Sequence, residues 1–120
     1  FVPSKFNRES IVIAEMNQQP VGLGRMVAID ENHSELGGIY VFKEYRNQGV
    51  AKKIVAFLLN QAPLSNTIYC IPFEHLAPFY MEYGFTNCKD DECIPKTILE
   101  KYLWCKQQYP QPTSLLVLKR

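Results

Sequence analysis

The chain has 120 residues, 47% of them apolar, with 13 lysines and arginines against 12 aspartates and glutamates, a formal net charge of +1. That length and apolar content suit a single domain over residues 1–120, and the near-neutral balance gives no support to a nucleic-acid-binding or acidic-tail reading. No apolar run is long enough to span a bilayer and no signal-peptide pattern opens the chain, so the expected setting is cytoplasmic, away from membranes.

The first periodic segment is SIVIAEMN, Ser10 to Asn17, where Ile11, Ile13 and Glu15 alternate with Val12, Ala14 and Met16; it predicts a strand. QQPVG reads as a turn punctuated by Pro20 and Gly22. Val21 to Ile29 and Glu35 to Phe42 are two more strands, with DENHS as the turn between them. Short turns make the three an antiparallel meander.

The period then changes. In Gly49 to Ala62, Val50, Ile54, Phe57, Leu58 and Gln61 fall at helical spacing, and Ala51, Val55, Leu59 and Ala62 widen the apolar face. Pro63 stops this helix, and NTIYCI, Asn66 to Ile71, is a short buried strand. Strand, helix and strand in that order predict a crossover between parallel strands. Leu76, Phe79, Tyr80 and Tyr83 share one face of a short helix, with Pro78 in its first turn and Gly84 as its left-handed cap. Phe85 to Cys88 is a further strand and KDDE a solvated loop. Pro95 to Gln108 is a helix with Ile98, Tyr102 and Cys105 on one side, and TSLLVLKR a last strand. Trp104 and Cys105 are expected to pack. The fold class is α/β in the α+β sense, a mostly antiparallel sheet with one parallel crossover.

Four cysteines, Cys70, Cys88, Cys93 and Cys105, contain no Cys-x-x-Cys and have no histidine pair at zinc spacing. Reduced thiols and no metal site are expected.

The stretch most informative about function is Arg46-Asn47-Gln48-Gly49-Val50-Ala51, between a strand end and a helix start. The first N–H groups of a helix lack internal partners, and the helix dipole adds positive potential there. Gly49 lets an anion approach the backbone, Ala51 is small, and Arg46 and Lys52 add cationic side chains. The implied ligand is a phosphate or pyrophosphate. Lys52 and Lys53 point about 100° apart, so at most one of them faces it.

Arg46-x-x-Gly49-x-Ala51, together with the later Ala77-Pro78-Phe79-Tyr80-x-x-x-Gly84-Phe85 and the order of elements, resembles the GNAT superfamily of N-acetyltransferases over about residues 10 to 88. The resemblance implies helices on both faces of the sheet and acetyl-CoA as co-substrate. Its pyrophosphate would lie on the turn of Arg46, Asn47, Gln48, Gly49, Val50, Ala51 and Lys52. Ile39, Val41 and Lys43 would meet the pantetheine arm through main-chain groups. Tyr80 would donate to the leaving sulfur, and Glu35, directly or through a water relay, would take a proton from a primary amine. With period two, Glu35 shares a face with Gly37, Ile39 and Val41, and Gly37-Gly38 suggests a bulge or a close ligand approach.

The chain departs from the family in two places. The family opens with a strand and two helices, whereas FVPSKFNRE is all that precedes the first strand read here; either the chain is a fragment or the domain is an N-terminally short variant, and pairing with a second chain is raised. Glu74 stands where many members carry a coenzyme-contacting Asn, and is expected to turn away. His75 could be a second base but is expected to cap the helix start or face solvent, His33 to be solvated and Cys70 to pack; Asp90, Asp91 and Glu92 could attract a basic acceptor, though a solvated loop is the expectation. The expected activity is direct acetyl transfer in a ternary complex, to a small-molecule or peptide amine. The alternative is a non-catalytic acyl-CoA sensor that regulates a protein partner.

Overall fold

A computed structural model describes residues 2–6, 9–89 and 93–120. They form a seven-stranded sheet in the order β1-β2-β3-β4-β5-β7-β6. The strands are β1 (Val2–Phe6), β2 (Glu9–Met16), β3 (Gln19–Ala28), β4 (His33–Val41), β5 (Thr67–Cys70), β6 (Thr86–Asn87) and β7 (Leu116–Leu118). The helices are α1 (Val50–Gln61), α2 (Ala77–Met81) and α3 (Lys96–Gln108), with short 3-10 turns at Lys43–Tyr45 and Glu74–Leu76. The expected α+β class holds, and β4–β5 is the parallel pair joined through α1.

Two expectations at the amino end are corrected. Val2–Phe6 is a strand, antiparallel to β2 from Val2 opposite Ile13 to Phe6 opposite Glu9, so the meander has four strands. Pro3 and two charged residues nearby hid it from a reading by alternation. The β2–β3 turn is also tighter than QQPVG suggested. Asn17 and Gln18 take φ of 52° and 66°, a two-residue hairpin with the twist that suits antiparallel strands, and Pro20 and Gly22 lie inside β3.

Two hydrophobic cores lie on opposite faces of the sheet. The larger gathers Val12, Val21 and Leu36 from the meander against Ile54, Val55 and Leu58 of α1, with Ala77 and Tyr80 of α2 beside them. The smaller sets Ile98 of α3 on Tyr69, Leu115 and Val117. Trp104, expected to pack, is 53% exposed and meets only the edge of Tyr109 in its ring contacts, because α3 has one inward stripe, Ile98 and Cys105, and Trp104 is off it.

The sheet is zipped at one end of the β4–β5 pair and open at the other. At the closed end, Thr67 N–H donates to the Asn32 carbonyl at 2.9 Å, and the buried Asn66 amide donates to Ser34 Oγ at 3.1 Å. The pairing runs only from His33–Thr67 to Leu36–Cys70. Pro72, which has no N–H to give, follows β5 two residues later. β4 meanwhile continues to Val41, opposite Gly22 of β3. Among the described residues, no strand pairs with β4 beyond Leu36 on the β5 side.

At its far end α1 is fastened by Arg120, whose guanidinium donates to the carbonyls of Leu59 at 3.0 Å and of Ala62 and Pro63 at 3.2 Å. A cation on those last carbonyls complements the negative end of the helix. Ile54 is wholly buried where α1 meets β3 and β4. Ile54→Ala should cost about 2–5 kcal/mol of unfolding free energy, read from urea denaturation; a loss below about 1 kcal/mol would mean that α1 is not part of the main core.

Candidate active site

A groove of about 610 Å³ opens where β4 and β5 part. One wall is β4, with Ile39, Tyr40 and Val41; the next is the turn of Tyr45, Arg46, Asn47 and Gly49. The start of α1 adds Val50, Ala51 and Lys52, and Leu76, Phe79 and Tyr80 close the far side. Tyr83 joins the two helices by donating its hydroxyl to the Lys52 carbonyl at 3.0 Å.

The turn leaves the first N–H groups of α1 open. Asn47 has φ 65° and Gly49 φ 81°, both left-handed, and Gly49 serves as the N-cap of α1 without a side-chain cap. The first bond of the helix runs from Lys53 N–H to the Gly49 carbonyl at 3.2 Å, leaving the N–H groups of Val50, Ala51 and Lys52 without intrahelical partners. A Cβ at Gly49 would have nothing within 4 Å, so glycine is needed for its φ and for the open space above it.

Arg46 is not a free charge over this space. Its Nε donates to the Val41 carbonyl at 2.9 Å and its guanidinium lies 5.4 Å from the centre of the Tyr40 ring. It braces the end of β4 while keeping its charge at the mouth of the groove. Lys52 lines the groove and Lys53 does not, as their angular separation requires. Of the other residues singled out in the sequence, Lys43 and Gln48 do not line it; the Gln48 amide donates to the Glu44 carbonyl at 3.4 Å. Glu74 is exposed and outside the groove.

Tyr80 is 7% exposed, with its ring edge-on to Phe79 and Phe85. Burial pushes its phenol well above the ordinary tyrosine range, and the nearby Cys70 adds to the effect. A phenol held neutral is a hydrogen-bond donor throughout the physiological range.

Glu35 lies elsewhere than alternation indicated. Two residues of β4, Gly38 and Ile39, oppose the single Gly24 of β3, and Gly38 has φ 62°. This bulge, expected at Gly37-Gly38, reverses the alternation. Ile39 and Val41 therefore pack toward α1, while Glu35 and Gly37 face α3. The Glu35 carboxylate is buried and ion-paired, Oε2 to Lys101 Nζ at 2.5 Å. It remains close to the parting of the strands: Leu36 is the last β4 residue paired with β5, opposite Cys70, whose thiol is pushed up by burial and then by the Glu35 charge. The line Tyr80, Cys70, Glu35 thus passes through the sheet from the groove to the opposite face.

The sequence reading did not find Tyr40, Tyr45, Leu76 and Phe79 as groove residues, nor Lys101. Phe79 and Leu76 were readable from the helical face they share with Tyr80. His75 is exposed and stacked on Phe73, while His33, expected in solvent, is bound to Asp30 at 2.7 Å. Asp90, Asp91 and Glu92, the acidic loop read as a lure for basic acceptors, lie outside the described residues. Among the described residues no cluster of three or more His, Cys, Asp or Glu is placed to hold a metal, and no helix is long and apolar enough to cross a membrane.

Comparison with known proteins bears on this groove. Residues 4–99 match the model of the acetyltransferase (GNAT) domain. No curated protein sequence matches significantly. Among solved structures, Rv2747 from Mycobacterium tuberculosis in complex with CoA superposes with a TM-score of 0.74 at 19% identity, over 94% of this chain and 76% of that one. A GNAT family acetyltransferase from Elizabethkingia anophelis with acetyl-CoA bound gives 0.73 at 17%, over 94% and 77%. N-acetylglutamate synthase from Neisseria gonorrhoeae, complexed with coenzyme A and N-acetyl-glutamate, gives 0.74 at 17%; the match covers 93% of this chain but only 25% of that larger one. At these identities the likeness is one of fold.

Burial separates the thiols sharply. Cys93 is exposed, whereas Cys70 and Cys105 are buried with their thiols raised, first of all by desolvation. Alkylation of native protein near pH 8 should modify Cys93 first and leave Cys70 intact until denaturant is added. Labelling of Cys70 at the rate of Cys93, read by peptide mass spectrometry, would contradict the closed packing around Tyr80.

Proposed function

Because the chain belongs to the GNAT acetyltransferase domain family, we propose that it transfers an acetyl group from acetyl-CoA to a primary amine, directly, within a ternary complex. The observation that carries this reading is the continuity of the groove. A strand edge without a neighbouring strand among the described residues leads to a helix start with unpartnered N–H groups, and the buried Tyr80 lines the same groove.

Acetyl-CoA, when bound, supplies a thioester whose acyl carbon an amine attacks. The amides at Gly49, Val50, Ala51 and Lys52 suit its diphosphate, with Arg46 and Lys52 adding charge. The free edge of β4 at Ile39 and Val41 suits an extended amide-bearing arm, which would add to the sheet as a strand does. The Val41 carbonyl is already committed to Arg46, so the arm would draw on the other main-chain groups of that edge.

Tyr80 is the donor toward developing charge on sulfur. Its phenol is a weaker acid than a thiol even in water, and burial weakens it further, so it gives a hydrogen bond rather than a whole proton. An aliphatic amine near pKa 10.4 must also be made neutral, a cost of about 4.6 kcal/mol at pH 7. Glu35 lies one residue before the last β4–β5 pair and is assigned as the group that takes this proton, directly or through water. Cys70 is not a nucleophile: a buried, neutral thiol cannot accept the acetyl group readily, which favours direct transfer over an acetyl-enzyme.

The occupied state of Glu35 favours a second reading, a non-catalytic acyl-CoA sensor, since a carboxylate already neutralised by Lys101 is a poor base. The two are separated by free-thiol release from acetyl-CoA over a panel of primary amines: turnover supports transfer, and coenzyme binding without turnover supports the sensor. In the transferase, Tyr80→Phe should lower kcat by about 10²-fold with coenzyme Kd little changed; an unaltered kcat would remove the phenol from the reaction. Gly49→Glu should weaken coenzyme Kd by at least about tenfold, since it places a carboxylate where the diphosphate is expected. An unaffected Kd by calorimetry would move the phosphate site elsewhere.

A further inference from the structure

We propose that Lys101 holds, in the free protein, the position that the acceptor's ammonium takes: Glu35 is the cation subsite for an aliphatic primary amine, and the acceptor enters by exchanging with Lys101. The inference rests on the reading of Glu35 as the group that receives the acceptor's proton.

The inward face of α3 is Ile98, Lys101 and Cys105, at spacings of three and four. Ile98 and Cys105 are 1% and 8% exposed, so Lys101 is a charged residue between two buried neighbours on an otherwise apolar stripe. A packing helix has no use for a cation there unless a buried anion faces it. Glu35 is that anion, with its side chain 9% exposed. The other titratable groups recorded around the pair, Cys70 from β5 and Cys105 from α3, are both held neutral by burial. Neither thiol can replace the missing positive charge if Lys101 leaves.

The two partners are unequally fixed. Glu35 is anchored in β4, whereas the Lys101 side chain is 38% exposed and reaches the carboxylate on a flexible stem. Beside the carboxylate, Gly37 contributes no side chain; a Cβ there would lie 3.7 Å from Glu35 Oε2. The Lys101 side of the pair is thus partly open to solvent, and no side chain at Gly37 covers the carboxylate. Uncovering a buried carboxylate without replacing its cation is strongly unfavourable. Lys101 therefore departs only when another cation arrives, and a neutral or anionic acceptor cannot open the site. What the structure places on Glu35 is a primary ammonium on a four-carbon chain, which is the chemistry of a lysine side chain or a linear diamine. Lys101 also lies beyond the residues matched by the family model, which end at 99.

The test is calorimetric binding of 1,5-diaminopentane to the coenzyme-free protein, which needs no turnover. Lys101→Met should bind the diamine at least about tenfold more tightly than the unmodified chain. Lys101→Arg, whose fork grips a carboxylate more firmly, should bind it several-fold more weakly. Glu35→Gln should abolish binding in either background. Equal or weaker binding by Lys101→Met overturns the proposal. If that variant does not fold, a Kd not weakened in Lys101→Arg overturns it instead. Thiol release from acetyl-CoA with the same diamine keeps the two readings apart. Turnover with no effect of Lys101 sinks this inference alone, while tighter binding by Lys101→Met without any turnover upholds the subsite and sinks the transfer reaction.

Discussion

The constraint on which the rest of the molecule depends is the length of one parallel pairing. β4 and β5 share only four residue pairs before they separate. Sheets seldom leave main-chain donors and acceptors unused, because an unpaired buried amide costs as much as a lost hydrogen bond. Here β4 keeps its other partner, β3, out to Val41 except at the Gly38–Ile39 bulge, so it continues as a strand after losing β5. The result is a strand edge held rigid from one side and open on the other. The tight turn after β4 then delivers α1 with its N-terminus at the end of that edge. Positioning comes from the sheet, and charge complementarity from the helix.

Much of this was legible in the sequence. The change of period at Gly49 marked α1, and Ile54 and Leu58 marked its buried face. Arg46, Gly49 and Ala51 marked the turn, and Gly84 is left-handed, with φ 101°, although α2 already ends at Met81 and Glu82 is its C-cap. What escaped has specific causes. β1 is short and has a proline at its second position, so alternation gave no signal. The turn at Asn17 and Gln18 lacks the glycine that usually announces a tight hairpin. Lys101 was invisible because a lysine within an apolar stripe reads as a solvated residue, and only the tertiary position of Glu35 gives it an inward direction.

The bulge at Gly38 is the most instructive of these. The glycine pair suggested an irregularity, yet alternation was still carried across it, and Glu35 was placed with Ile39 and Val41. One additional residue in β4 puts them on opposite sides of the sheet. This also divides the labour between the two faces. The α1 side carries the groove and its cationic rim, and the α3 side carries a buried anion with its own counter-ion. Tyr80 and Cys70 belong to the α1 side, both kept neutral by desolvation. A thioester lying on one side and an amine approaching from the other would meet only where the strands have parted.

The clasp of Arg120 on α1 has an asymmetric outcome. Helices fray from whichever end is least restrained, and this one, about 18 Å long, has its last turn tied down by a guanidinium while its first turn is capped by a bare glycine. Amide exchange should consequently be fastest at the leading turn, so that a bound anion would act as the second restraint and silence the only loose end the helix has.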